Sequence, residues 1–379
     1  MRVAIVGGGA IGLWAAIELA ERGATVTLVE AGLCGGANST LTGGGIRQQF
    51  GTPLNCALSR LAAPFWQDFT ARFGVDPRFQ AIGYLFLAHD DAGAAMLAAN
   101  VAVQNAHGID STLLRGADVV RRWPALAGRG IVAGGFRQDD GWANQHCIID
   151  GLVRGALARG VVVRQGCEAV ALLRSGERVT GVRTTWDDLA GDAVVLASGA
   201  RTDLLVSLGL VAPVSAHRHE LLIVEPADPL PPGLPWLIGM RDEVHLRPDT
   251  PGRALVGGFL GHDDAGPAEE FERRADPAWR AAVLAAAARV FGVIDARARV
   301  VRGWAGVYPS TPDRHPIIDR LSPGLYAALG FSGTGLMHAP AAASLLGELL
   351  FDGALTSADA AALSATRFAR SAVVERTGF

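Results

Sequence analysis

The chain contains no lysine: all 34 of its basic residues are arginine. A phosphate-binding loop ending in Lys–Ser/Thr, a pyridoxal Schiff base and a Ser-x-x-Lys acylase each need that amine, so those chemistries are excluded. Cysteine is scarce too. Cys34, Cys56, Cys147 and Cys167 include no Cys-x-x-Cys pair, so no metal or iron–sulfur site is read from them and no disulfide framework is expected. They are expected to be small, mostly buried hydrophobes in a reducing, cytoplasmic setting. The net charge of −3 leaves no positive excess for nucleic acid or an anionic membrane. Long apolar runs are missing: 281–288 and 339–351 are interrupted or bounded by Arg289, Pro340 and Glu348, short of the about 20 residues a membrane span requires. The uncharged stretch Val3–Ile17 carries three consecutive glycines and runs on into Glu18, Glu21 and Arg22 at helical spacing, so it reads as part of the fold and not as a secretory signal.

What remains is a chain of 379 residues, half of them hydrophobic, long enough for a large core and about two domains. Residues 2–30 read as strand, glycine turn, amphipathic helix and strand, one βαβ unit. A glycine-rich stretch over 32–51 is too long for an ordinary connector and is expected to be functional. Helical periodicity returns at 53–73, 91–107, 117–123, 146–160 and 276–291, and strands are expected at 80–88, on both sides of Ser175-Gly176, at 192–200 and through 211–262. A closing strand, a glycine turn and a helix over 336–351 complete the order. This predicts an α/β plus α+β fold, a Rossmann-type nucleotide-binding domain from 1–75, 140–210 and 310–379 interleaved with a sheet-rich substrate domain from 76–139 and 211–309.

The chemistry begins at Gly7-x-Gly9-x-x-Gly12, with Ala10 and Ile11 inside the motif. Gly7 allows the tight turn, Gly9 lets backbone approach a pyrophosphate, and Gly12 lets helix pack on strand, with the helix N-terminus facing the phosphates. Glu30, followed by Ala31, ends the second strand where a carboxylate takes ribose hydroxyls, which disfavours a 2′-phosphate and leaves FAD or NAD. Three features favour FAD: a second strand–glycine turn at Ala197, Ser198 and Gly199; extended backbone at Ala169 and Val170 for an adenine edge; and GFSGTG (330–335) before a long apolar helix whose positive end suits a flavin pyrimidine ring.

Taken together, GGGAIG with Glu30, NSTLTGGGIRQQFGTP (38–53), LASGA (196–200), WAGVYPSTPDRHPIID (304–319) and GFSGTG resemble the D-amino-acid oxidase-like FAD oxidoreductases over nearly the whole chain. The similarity is to the sarcosine oxidase, sarcosine/dimethylglycine dehydrogenase and glycine oxidase branches. It implies oxidation of a C–N bond beside a carboxylate, with hydride passing to flavin N5 and the imine hydrolysing. It also implies cofactor contacts from Asn38, Ser39, Thr40, Thr42, Gly43, Gly44 and Gly306, and from Gly330, Ser332, Gly333, Thr334, Gly335, Leu336 and Met337. Arg47 matches the family arginine that pairs a substrate carboxylate, a role suited to its planar fork. The partner lysine of sarcosine oxidases matches Met337, and the clamp arginine of glycine oxidases matches Tyr308. The oxygen-activating lysine falls in EVHLRP, where a cation would come from Arg247 or a protonated His245. Oxidase and dehydrogenase both stay open, and no general base is named. Met240, His245 and Trp304 are candidate pocket groups that also suit a core, and His315 reads as structural. GGGIRQQF is similar both to flavoprotein subunits of multi-subunit sarcosine oxidases and proline dehydrogenases and to a respiratory-complex assembly flavoprotein. The expected partner is a small amino-acid-like molecule, with a homo-oligomer or a partner subunit left open.

The residues that tether flavin in the resembling enzymes, a cysteine or a histidine, are replaced here by Gly306 and Thr42. Denaturation in acid or urea is therefore expected to release all flavin into the ultrafiltrate; flavin that stays with the polypeptide would overturn this.

Overall fold

The computed structural model describes residues 1–260, 265, 266, 272–369, 374, 375 and 377. Its first sheet has six strands in the order Ile317–Ser322, Leu325–Leu329, Ala193–Leu196, Arg2–Val6, Thr25–Glu30, Val162–Gln165. Every neighbouring pair is parallel except the first. Alternation along the central strand sets its two faces: Val3 and Ile5 point into a helical layer, Ala4 and Val6 toward an antiparallel meander over 169–190.

The helical layer is built from α1 (Ala10–Glu21), α2 (Pro53–Gln67), α3 (Gln145–Ala158) and a C-terminal helix; α4 (Pro277–Phe291) belongs to the second sheet, and the C-terminal helix is α5 (Gly335–Gly347). The sequence reading of α1 as amphipathic is corrected: Leu13, Trp14, Ala15, Ala16, Ile17 and Leu19 are all buried. The cause is a second layer, since α5 and α3 cover the side of α1 that would otherwise meet water. Trp14 anchors this layer edge-on against Phe65, Phe69 and Phe73. Helix α5 ends four residues earlier than expected, and Glu348–Asp352 continues as a π-helical turn. There the Glu348 carboxylate accepts hydrogen bonds from the Thr356 and Ser357 backbone.

The second sheet has nine strands, and its long pair Ser215–Glu225 and Arg299–Ser310 runs antiparallel. Period-two alternation again divides the faces. Leu85, Leu87 and Leu237 pack with α4, whereas Tyr84, Phe86, Trp236 and Ile238 point the other way. The strand Ala133–Arg137 was not expected, because Gly134 and Gly135 break the apolar pattern. The structure shows why glycine is there: a Cβ on Gly134 would lie 2.8 Å from Val119 and 3.0 Å from Leu85.

One long-range contact joins the two ends of the chain. The buried Glu375 carboxylate accepts from Gly51 N, Thr52 N (3.0 Å), Thr52 Oγ1 (2.7 Å) and Asn55 Nδ2 (3.2 Å), so it caps the N-terminus of α2. Burial opposes its ionisation, but hydrogen bonds from Thr377 and Thr52 outweigh that and hold its pKa below the usual range. A depressed folded-state pKa gives stability that is present above the unfolded value and lost as pH falls through the folded one. Glu375→Gln is therefore expected to cost about 1–3 kcal/mol at pH 7. The difference should shrink below the unperturbed glutamate pKa of about 4.3, as measured by thermal unfolding at pH 7 and pH 3.5.

Candidate active site

A cleft runs from the ends of the first sheet's central strands to the second sheet. It holds about 1570 Å³ of empty space, part of it continuous with solvent. At one end lies the glycine turn. Gly7 has φ +110°, and a Cβ there would sit 2.4 Å from the Ala197 carbonyl oxygen; one on Gly12 would sit 1.9 Å from that of Gly7. Any side chain at either position would drive α1 off the sheet. Gly9 faces the cleft near Ser39, whose Oγ accepts from Ala10 N at 3.0 Å. Glu30 lines the cleft and is aimed by the N–H groups of Gly8 (2.7 Å) and Gly32 (2.8 Å), which occupy one lone pair on each oxygen.

The same cleft is lined by Ala10, Ile11, Ala31, Asn38, Ser39, Thr42, Ala169, Ala197, Ser198 and Gly199 near this end, and by Gly306, Tyr308, Gly330, Gly333, Gly335 and Leu336 toward the second sheet. Close backbone approach at Gly9, an acidic second-strand end and the N-terminus of α5 at the far end fit an extended FAD. Several expected contacts do other work. Gly12 packs helix on strand, and Thr40 donates to the Gly35 carbonyl at 2.6 Å. Val170 is exposed; Gly44 is pressed against the Ala143 carbonyl. Ser332 Oγ accepts from Thr311 N, and Thr334 donates to the Phe331 carbonyl, so both brace the glycine turn. Gly43 and Met337 line a neighbouring cavity instead.

That second cavity holds about 530 Å³ of empty space and brings together Arg47, Tyr84, Phe86, Trp236, His245, Tyr308 and Met337. It meets the cofactor cleft at Thr42, Leu221, His245, Tyr308, Gly333 and Leu336. Arg47 is its cation. Only 4% exposed, it donates to the Gln49 and Thr377 carbonyl oxygens and lies 4.0 Å over the Phe50 ring. Burial lowers its pKa, and nearby Tyr84, Glu375 and Asp140 offset part of that. Among the described residues no carboxylate lies within ion-pair distance of it, so its charge is solvated by dipoles and ring faces alone. Asp140, itself buried and paired with Arg137 at 2.6 Å, holds the Gln48 and Gln49 N–H groups and thereby the irregular segment that carries Arg47 just after the Gly45–Ile46 strand.

Burial pushes the Tyr308 hydroxyl up to about 12 and the Tyr84 hydroxyl well above its usual value, so both are donors at neutral pH. Tyr84 stacks on Trp236 at 4.7 Å. His245 accepts from Trp236 Nε1 at 3.3 Å, and burial lowers its pKa to about 3. The expectation of a protonated His245 is thus corrected: desolvation keeps it neutral. Arg247 is corrected also. It lines neither cavity. Its guanidinium bonds Asp249 (2.8 Å), the Pro248 carbonyl and the Gly43 carbonyl, and rests 3.7 Å over Trp142, so it braces the glycine loop from behind. Trp304 donates to the Leu41 carbonyl at 2.7 Å and Met240 packs in the second sheet; neither lines the cavity. His315 bonds Thr52 Oγ1, as a structural residue does.

Sequence reasoning missed Tyr84, Phe86 and Trp236, which show only as alternate residues of two short strands. It also missed His219, held between Tyr308 and Phe259 at 4.0 and 4.1 Å and kept neutral by burial.

The family model for FAD dependent oxidoreductases (DAO) matches residues 2–349. The chain is 29% identical over 388 residues to the sarcosine oxidase subunit beta of Rhizobium meliloti, covering 99% of this chain and 90% of that protein. It is 29% identical to the glycine oxidase of Pseudomonas aeruginosa, covering 92% and 94%. Among solved structures it resembles the L-proline dehydrogenase of P. horikoshii, with a TM-score of 0.89 at 26% identity over 98% of each chain. The glycine oxidase of Geobacillus kaustophilus superposes with a TM-score of 0.83 at 25% identity, covering 97% and 99%. With its glycine turn, acidic strand end and helix-capped cleft matched along this length, the chain belongs to the DAO family of FAD-dependent oxidoreductases.

Proposed function

We propose that the protein oxidises the C–N bond of a small amino acid or N-substituted amino acid, with the substrate held in the second cavity by its carboxylate on Arg47. The single observation that carries this is a buried guanidinium with no described counter-ion, lining a cavity that adjoins the cofactor cleft. Bound FAD supplies the two-electron acceptor for such an oxidation.

The chain's own residues account for binding and orientation. An anion beside Arg47 gains a charge-assisted pair in a site from which water is excluded. The Tyr84 and Tyr308 hydroxyls, protonated at neutral pH, are available to donate to the same carboxylate. Phe86, Trp236, Ile238 and Leu336 give the remainder an apolar wall, which suits a compact side chain and no second charge. The wall also disfavours an ammonium, so burial promotes the neutral amine that the reaction needs. His245, neutral and accepting from Trp236, offers a fixed polar edge and no positive charge. With Met337 apolar and Arg247 turned away and paired, no cation besides Arg47 lines this cavity among the described residues. That supports a dehydrogenase whose electrons leave to an acceptor other than oxygen. The likeness to a sarcosine oxidase subunit beta supports a second reading, in which this chain is the flavoprotein subunit of a larger assembly.

Anaerobic mixing of the holoprotein with amino acids and N-alkyl amino acids is expected to bleach the flavin with a compact monocarboxylate, and recolouring in air should be slow. Bleaching by none of them overturns the proposal; fast recolouring removes the dehydrogenase part. Arg47→Ala should weaken substrate binding about 10- to 100-fold, the roughly 1.5–3 kcal/mol of one charge-assisted hydrogen bond. Because burial holds His245 near pKa 3, the pH profile of flavin reduction should show no histidine ionisation between about pH 5 and 8. An inflection there that vanishes in His245→Asn would contradict this.

A further inference from the structure

Most of the wall of the second cavity is buried. Arg47, Tyr84, Phe86, Trp236, Ile238, Leu336 and Met337 are all buried, and on its remaining side the cavity opens into the cofactor cleft. FAD bound in that cleft would cover this side. A substrate that enters and a product that leaves while the cofactor stays bound therefore need another way through.

A third cavity, with about 950 Å³ of empty space, lies on the opposite side of Arg47 and Met337, and those two residues line both chambers. Its lining grades from surface to interior. Phe79 is 40% exposed and the Asp139 side chain 79%, whereas Arg47 is 4% and Met337 6% exposed. One wall is α2, through Ala63 and Trp66; the other is the segment around Ala81 and the Arg137–Asp140 turn. The charges along it are matched, since Arg137 is paired with both Asp139 and Asp140. The cation not so matched stands at the inner end, where Arg47 draws a carboxylate inward. The remaining barrier is the Met337 side chain. Trp66 Nε1 holds the Met337 carbonyl at 2.8 Å, which fixes the backbone there and leaves movement to an unbranched thioether with three rotatable bonds.

We propose that this third cavity is the antechamber through which small carboxylates reach and leave the active site, with Met337 as the side-chain gate and Arg47 as the inner receptor. The route rests on the second cavity being the substrate site.

The test fills the antechamber without touching either neighbour. Ala81→Trp lies at the exposed rim, and Ala63→Trp lies on the α2 wall. Two probes are mixed with the holoprotein in a stopped-flow instrument: the amino acid that bleaches the wild-type flavin, and sulfite, a small anion that bleaches oxidised flavin without being a substrate. The expected result is a fall of about tenfold or more in the second-order bleaching rate for both probes. The limiting rate at saturating amino acid, the FAD affinity and the Tm should keep wild-type values. Unchanged second-order rates in both variants would overturn the route, as would a loss confined to the limiting rate. A wild-type protein that bleaches with sulfite but with no amino acid sinks the substrate reading alone, and the sulfite rates still decide the route.

Discussion

A buried positive charge governs the arrangement of this protein. Arg47 is sealed between Phe50 and Phe86 and solvated by two backbone carbonyls. Such a group is costly to bury, so the surroundings must hold it from several directions. Asp140 fixes the segment that carries it, and Glu375 and Thr377 bring the far end of the sequence onto it and onto α2. The site's shape follows from holding this cation between the two cavities that it lines.

Around that charge the two sheets divide the labour. The parallel sheet offers strand ends and helix N-termini, which present backbone N–H groups and suit phosphates. The second sheet, mixed because the strands of Tyr84 and Trp236 pair in parallel, offers a face of alternate aromatic side chains, and those suit the apolar body of a small substrate. The cofactor cleft runs from one to the other, and the substrate cavity opens from it beside the second sheet. His219 and His245 stand along this join, both held neutral by desolvation, so the electrostatics of the cavity come from Arg47 and not from a titrating imidazole.

The βαβ unit at the N-terminus was legible because its constraints are local. A strand, a glycine turn and a helix specify one another within thirty residues, and the glycines are forced by contacts as short as 1.9 Å that leave no room for a Cβ. Arg47 was legible as a type of residue in a recognisable segment. Its partners were not, since Thr377 lies 330 positions away. The same limit explains the misplacement of Arg247. A short strand shows that a side chain alternates between faces, but not which face meets the cavity. Pairing with Asp249 and stacking on Trp142 turned the guanidinium away.

Residue type and short-range spacing were enough for the dinucleotide fingerprint, the absence of lysine chemistry and the α/β order of elements, whereas the loss of both flavin-tethering residues is read from the family resemblance. It took the folded chain to bury most of α1, to bring Tyr84 and Trp236 into the pocket wall, to keep His245 uncharged and to set a further chamber behind Met337. Those are matters of which surfaces meet after hundreds of intervening residues have folded. Burial and dielectric, which set charge state and access, exist only once they have met.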